Sequence, residues 1–172
     1  MKFAVFGGFE IYRKSNRLGV FDKEFWDKVR QKSQDLPEAC GCYIFSLKNG
    51  SNIVPWYVGK TEKMSFSREC FQATKINYFN EVLIDRRGTP LLFLLPRQTA
   101  LQKRFSFPTK RGYRDIDFLE TMLIGLALEK NKNLMNIKKT TLLKQMVVPG
   151  IINSPQARPT KPVADLRNTL GL

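Results

Sequence analysis

The sequence predicts an α+β fold from three kinds of pattern that alternate along it: a β-hairpin over residues 41–58, a separate apolar run at Leu91–Leu95, and stretches with helical spacing of apolar residues around them. In the hairpin, Cys42, Ile44 and Leu47 interleave with Tyr43, Phe45 and Ser46. Lys48-Asn49-Gly50-Ser51-Asn52 supplies the turn, and Ile53 to Val58 is apolar and partly β-branched. Leu91–Leu95 follows the turn residues Gly88-Thr89-Pro90 and stops at Pro96, which makes a third strand.

The other elements fall around these three. Phe3-Ala4-Val5-Phe6 is apolar and is stopped by Gly7-Gly8. A helix opens at Asp22, where Phe21 and Trp26 take the two positions of a hydrophobic staple, and Phe25, Trp26 and Val29 form its buried stripe before Pro37. These segments read as an N-terminal strand and helix extension. Ser65 or Ser67 caps a helix through Arg68, Phe71 and Gln72, and a second helical stretch covers Asn77 to Ile84. A longer helix runs from about Asp117 to Lys130, apolar at Ile116, Leu119, Leu123, Ile124 and Ala127. From Pro149 onward the character changes: four of the nine prolines lie there, around an extended loop and a short helix at about Val163–Leu170. The organisation expected is one domain over residues 1–148 and a proline-rich tail over 149–172. That tail either packs back through Val163, Leu166 and Leu170 or adds a nucleic-acid contact through Arg158, Lys161 and Arg167.

Charge narrows the partner. Twenty-nine Lys and Arg against 15 Asp and Glu leave a net charge of +14, which favours a polyanion over an acidic small molecule. The cations are clustered. Between Arg86 and Arg114 stand Arg86, Arg87, Arg97, Lys103, Arg104, Lys110, Arg111 and Arg114 with no acid, interspersed with Phe93, Phe105, Phe107 and Tyr113. A second run, with Lys130, Lys132, Lys138, Lys139 and Lys144, has no acid between Glu129 and Asp165. Basic runs with aromatics suit phosphate contacts, against the plainer reading of a solvated lysine face.

Residue usage also excludes chemistries. The chain has no histidine and three cysteines, Cys40, Cys42 and Cys70. A tetrahedral Cys/His zinc site lacks a fourth soft ligand, and a Ser-His or Cys-His nucleophile lacks its base. An odd three cysteines cannot make a disulfide scaffold, so a reducing compartment is expected, with Cys40 and Cys42 acting as small core hydrophobes. No apolar run has the length of a signal-peptide core or a membrane span, and the expected location is the cytoplasm. Gly59-Lys60-Thr61 copies the end of a nucleotide phosphate loop, but Val54 replaces its leading glycine and Pro55-Trp56-Tyr57 is too bulky to wrap a phosphate.

Two sites stand out. Gly41-Cys42-Tyr43 and Tyr57-Val58-Gly59 put two tyrosines into one hairpin, with a glycine beside each to leave room for a backbone or a phosphate. Glu120 emerges on the apolar face of its helix, beside Ile116, Leu123 and Ile124. Burying a lone carboxylate costs several kcal/mol, so it calls for an Arg partner, protonation or a metal ion. Gly41-Cys42-Tyr43, Tyr57-Val58-Gly59-Lys60-Thr61, Arg68 nine positions after Gly59, Glu120 and Asn136 together resemble a GIY-YIG nuclease domain over about residues 37–137. Cys42 departs from the family's usual Ile or Val, and the spacer between the triplets is slightly long.

The resemblance implies a small three-stranded antiparallel sheet flanked by helices, and a DNA endonuclease that hydrolyses phosphodiester bonds with one Mg²⁺ or Mn²⁺, RNA remaining open as a substrate. It assigns the general base to Tyr43 and the positioning of water or phosphate to Tyr57. A phenol titrates near 10, so Tyr43 needs cationic neighbours, which Lys60 and Arg68 supply; Lys60 is itself a candidate base if burial lowers its pKa. Glu120 is assigned the metal, Arg68 the developing charge, and Asn136, with Asn133 as a weaker candidate, the hydrogen bonds that steady the site. The other class to weigh is a catalytically silent nucleic-acid-binding or assembly protein on the same fold. The oligomeric state, homodimer included, is not encoded in these patterns.

Overall fold

The structure is a computed structural model that describes residues 2–19, 22–99, 104–136, 139–152, 154 and 158–172, except the side chains of Asp22 and Leu142. Phe21, Lys103 and Lys138 lie outside the described residues. The chain divides into two compact units, residues 1–136 and 137–172.

The first unit is α+β. Its strands are β1 (Lys2–Phe3), β2 (Phe6–Glu10), β3 (Arg13–Lys14), β4 (Arg17–Leu18), β5 (Gly41–Asn49), β6 (Asn52–Thr61) and β7 (Thr89–Gln98). Its helices are α1 (Asp22–Lys32), α2 (Phe66–Glu69), α3 (Ala73–Ile84) and α4 (Arg114–Lys130). The expected hairpin is β5–β6, and β7 pairs antiparallel with the other side of β5. The sheet, however, has five strands instead of three, because β1 and β2 both pair with the outer edge of β7. The strand also runs through Pro90 and Pro96 where the sequence predicts its end. Both prolines lack an N–H, but their carbonyls accept from Ile11 and Ala4 of the N-terminal segment.

Strand alternation sorts the core into two sides. Tyr43, Phe45, Tyr57, Leu92 and Leu94 pack toward α1 and α3, with Phe45 stacked on Phe79 at 4.1 Å between ring centroids. Cys40 and Cys42 point the other way, onto Ile116 of α4. The Cys40 thiol donates to the Ser106 carbonyl at 3.3 Å, and burial pushes it up to about 11, so these cysteines are the core hydrophobes that the sequence suggests. Longer than expected by one turn, α4 begins at Arg114.

β6 lies at the edge of the sheet, yet its outer side is not bare. Met135 N–H donates to Trp56 O, Asn131 Nδ2 to Pro55 O, and the Asn136 amide both donates to Val58 O and accepts from Val58 N–H, at 2.7 and 2.9 Å. A loop thus substitutes for a neighbouring strand. Trp56 is the bulge residue here, between the pairs Phe45–Tyr57 and Ser46–Pro55, and the Arg86 guanidinium covers its ring at 4.0 Å.

In the second unit, α5 (Thr140–Gln145) and α6 (Lys161–Leu170) flank a bridge between Val148 and Ile152, and Val163 packs on Gly150. No described helix in either unit is long and apolar enough to cross a membrane.

Asn136→Ala strips both backbone groups of the buried Val58 of their partners on this edge. It should cost about 2 kcal/mol, read as a lower urea midpoint at an unchanged m-value.

Candidate active site and nucleic-acid interface

The β5–β6 register pairs Tyr43 with Gly59 and Phe45 with Tyr57, so both tyrosines leave the same face, their rings 6.1 Å apart. The expected space beside them is filled. A Cβ on Gly59 would overlap the Tyr43 ring and hydroxyl, and one on Gly41, at φ +159°, would overlap the Leu95 carbonyl of β7. The glycines therefore admit the protein's own ring and strand, and leave no gap for a phosphate.

Tyr43 is completely buried, and its hydroxyl is the one buried side-chain polar atom among the described residues without a hydrogen-bond partner. Burial, reinforced by Cys70, Tyr57 and Glu69 nearby, raises its pKa well above the ordinary phenol value. A general base at Tyr43 would need the opposite shift.

Tyr57 is placed differently. Lys75 Nζ donates to its hydroxyl at 2.9 Å, Tyr78 stacks on its ring and Phe79 meets it edge-on. Lys75 lies 3.8 Å from Glu69. Burial alone would lower the Lys75 pKa, but the bond to Tyr57 and the charge of Glu69 outweigh it and raise the value. Burial raises Glu69 in turn, against the opposing pull of Lys75. Sequence reasoning missed Glu69 and Lys75, and no helical spacing could have joined them, since they lie on different short helices, α2 and α3.

Lys60 leaves the sheet on the opposite face, beside Cys42. There it is held by Glu62 and Asp117, both at 2.6 Å. Burial would lower its pKa, but these two carboxylates raise it. A base at Lys60 would need the opposite shift. Glu120 is half-buried on α4, one turn beyond Ile116 and Asp117, which contact Cys42 and Lys60. The sheet thus separates the tyrosine face from the face on which the helix of Glu120 packs. Arg68 is exposed on α2, Asn133 is exposed, and Asn136 clamps β6 through Val58, the middle residue of the second triplet.

Mg²⁺ keeps several waters and takes one or two carboxylates together with substrate phosphate oxygens. Glu120 offers one carboxylate, and no group of three or more His, Cys, Asp or Glu among the described residues could hold an ion. This donor set fits an ion shared with a bound phosphate, not one enclosed by protein.

The basic run is divided by β7. Arg86 and Arg87 precede the strand and Arg104 to Arg114 follow it, so a ten-residue strand about 33 Å long stands between them. Arg97 is not available: Asp115 at 2.7 Å, Ser106 at 2.9 Å and the Tyr113 ring hold its guanidinium inside the fold. Exposed at the far end are Arg104, Lys110, Arg111 and Arg114, and Arg87 is exposed at the near end. The loop carrying Lys110 and Arg111 is tied to the end of β6, where Thr109 N–H donates to Glu62 O. Lys139 belongs to the second unit and is half-buried.

No protein-family model matches the chain, and searches of curated proteins and of solved structures likewise find no match.

Two substitutions test the tyrosine packing. Gly59→Ala forces a methyl group into the Tyr43 ring and should destabilise by about 1–3 kcal/mol. Tyr43→Phe deletes a hydroxyl whose unpaired burial costs about 1–3 kcal/mol, so its melting temperature should equal or exceed that of the wild type.

Proposed function

We propose that this protein is a nucleic-acid-cleaving enzyme of the GIY-YIG kind, hydrolysing phosphodiester bonds of DNA. The observation that carries the reading is the hairpin register, which makes one local structure of two triplets that are separate in sequence and sets both tyrosines on one face. The Asn136 amide grips the second triplet through Val58, and exposed cations gather at the end of the sheet where β6 finishes and α4 starts.

In this reading a tyrosine takes a proton from water, Arg68 faces the charge that develops on the phosphoryl oxygens, and Glu120 holds Mg²⁺ or Mn²⁺. The ion supplies polarisation of the phosphate and stabilisation of the leaving oxygen. Lys60, charged and fixed between Glu62 and Asp117, joins β6 to α4. Arg86, Arg87, Arg104, Lys110, Arg111 and Arg114 hold the backbone of the nucleic acid.

A second reading, a silent nucleic-acid-binding protein on this fold, is favoured by the sealed Tyr43 hydroxyl and by the sheet between the tyrosines and the helix of Glu120. Incubation with supercoiled, linear and single-stranded DNA, with Mg²⁺ and with chelator, separates the two: metal-dependent nicking belongs to the first, binding without nicking to the second.

If Glu120 carries the ion, Glu120→Gln abolishes cleavage and leaves DNA affinity within a factor of a few. Full cleavage by this variant would remove the metal assignment. Affinity itself should fall with salt by about 0.9 log units per log unit for each phosphate contacted on duplex. Neutralising Arg104, Lys110, Arg111 and Arg114 together should flatten that slope by about 3.6 if each meets one phosphate, measured by fluorescence anisotropy on specific and random duplexes alike.

A further inference from the structure

Resting on the nuclease reading, we propose that Lys75 is a positioning residue of the site, holding Tyr57, and not Tyr43, as the tyrosine that accepts the proton of the attacking water, with Glu69 holding Lys75.

The geometry distinguishes the two phenols. The Tyr43 hydroxyl is enclosed by the bare backbone of Gly59 and by neighbouring core side chains, is inaccessible to solvent and has no hydrogen-bond partner. Tyr57 has a cation at hydrogen-bond distance, Lys75 Nζ at 2.9 Å, with the same ammonium 5.2 Å from its ring centroid. An ammonium donates and cannot accept. The Tyr57 oxygen therefore offers a lone pair to Lys75, which fixes where that oxygen stands. The groups facing Tyr57 are Lys75 and Tyr78 from α3 and Tyr43 from β5, with Glu69 of α2 reaching it through Lys75. Glu69 pairs with Lys75 at 3.8 Å. Arg68, the residue beside Glu69, is exposed and available to a phosphate.

In the chemical step the Tyr57 oxygen takes a proton from water while that water's oxygen forms a bond to phosphorus. The bond from phosphorus to the leaving oxygen breaks with its electron pair on oxygen, which takes a proton from solvent, and Tyr57 returns its own proton to solvent. Lys75 keeps its protons throughout and touches neither water nor phosphate.

The test compares single-turnover cleavage by wild type, Tyr43→Phe, Tyr57→Phe, Lys75→Met and Lys75→Arg, each with its melting temperature and DNA affinity. Tyr57→Phe and Lys75→Met should each lose at least about 10²-fold in rate at unchanged affinity, within the range of general-base catalysis. Tyr43→Phe should lose less than about tenfold. Lys75→Arg, and added ethylamine with the Lys75→Met protein, should restore part of the rate, which a purely structural lysine would not allow. If wild type cuts but Tyr43→Phe is the slow variant, or if ethylamine and arginine restore nothing to a folded Lys75→Met protein, the inference is overturned and the nuclease reading stands. If wild type cuts nothing with either metal, the nuclease reading falls and the proton role of Tyr57 falls with it.

Discussion

The register of the β5–β6 hairpin is the constraint on which the rest depends. Side chains alternate with a period of two, so a slip by one residue would exchange the two faces of the strand. Tyr43 would then meet Val58 or Lys60 instead of Gly59, and Phe45 would leave the face on which it stacks on Phe79. The bulge at Trp56 lets the pairing resume at Pro55 without moving the tyrosines. Because β5 is also the partner of β7, the same register sets which leucines of β7 face α3 and where Cys42 meets α4.

Both edges of the sheet are then finished by segments with little strand character of their own. On one side β1 and β2 run along β7 as an edge strand broken at residues 4–5, and β2 shifts register between Gly7 and Phe9. On the other, the amides of Asn131 and Asn136 bond to the backbone of β6. Open edges invite pairing with other chains, and these loops and short strands meet backbone groups that would otherwise require water or a partner. Asn136 thus has a structural duty at this edge.

The regular elements were legible in the sequence because each carries its own period or its own punctuation. The hairpin, the Leu91–Leu95 strand, the helix from Asp22 and the long helix ending at Lys130 were read from alternation, turn residues and apolar spacing, with ends displaced by a few residues at most. That the N-terminal strand joins this sheet was not, since a short apolar segment followed by Gly7-Gly8 declares no partner, and its pairing depends on an edge of β7 more than eighty residues away. The site was harder. Pattern alone put the tyrosines together, but it could not show that the bare Gly59 backbone is covered by Tyr43 itself, that Arg97 is engaged by Asp115, or that the helix of Glu120 lands on the face opposite to the tyrosines. Each of these depends on how elements pack in three dimensions, which no local window contains.

Charge pairing shows how a chain of net charge +14 can keep its interior electrostatically quiet. Asp115 holds Arg97, Glu69 holds Lys75 and Glu62 holds Lys60, all partly or largely removed from water, while the exposed Asp117 meets Lys60 from outside. Such pairs are screened by salt far less than exposed ones. Acids committed to these interior cations cannot neutralise the exposed arginines and lysines beyond Gln98, so the outer surface there is more positive than the sequence total suggests. The same segment that supplies Arg104, Lys110, Arg111 and Arg114 is anchored through Ser106 and Thr109 to β7 and to the residue after β6. A polyanion bound to those cations would therefore be held at the end of the hairpin that carries Gly41 and Thr61, close to Lys60. The interior pairs fix where the cations stand; the exposed cations set how strongly a phosphate backbone is drawn there.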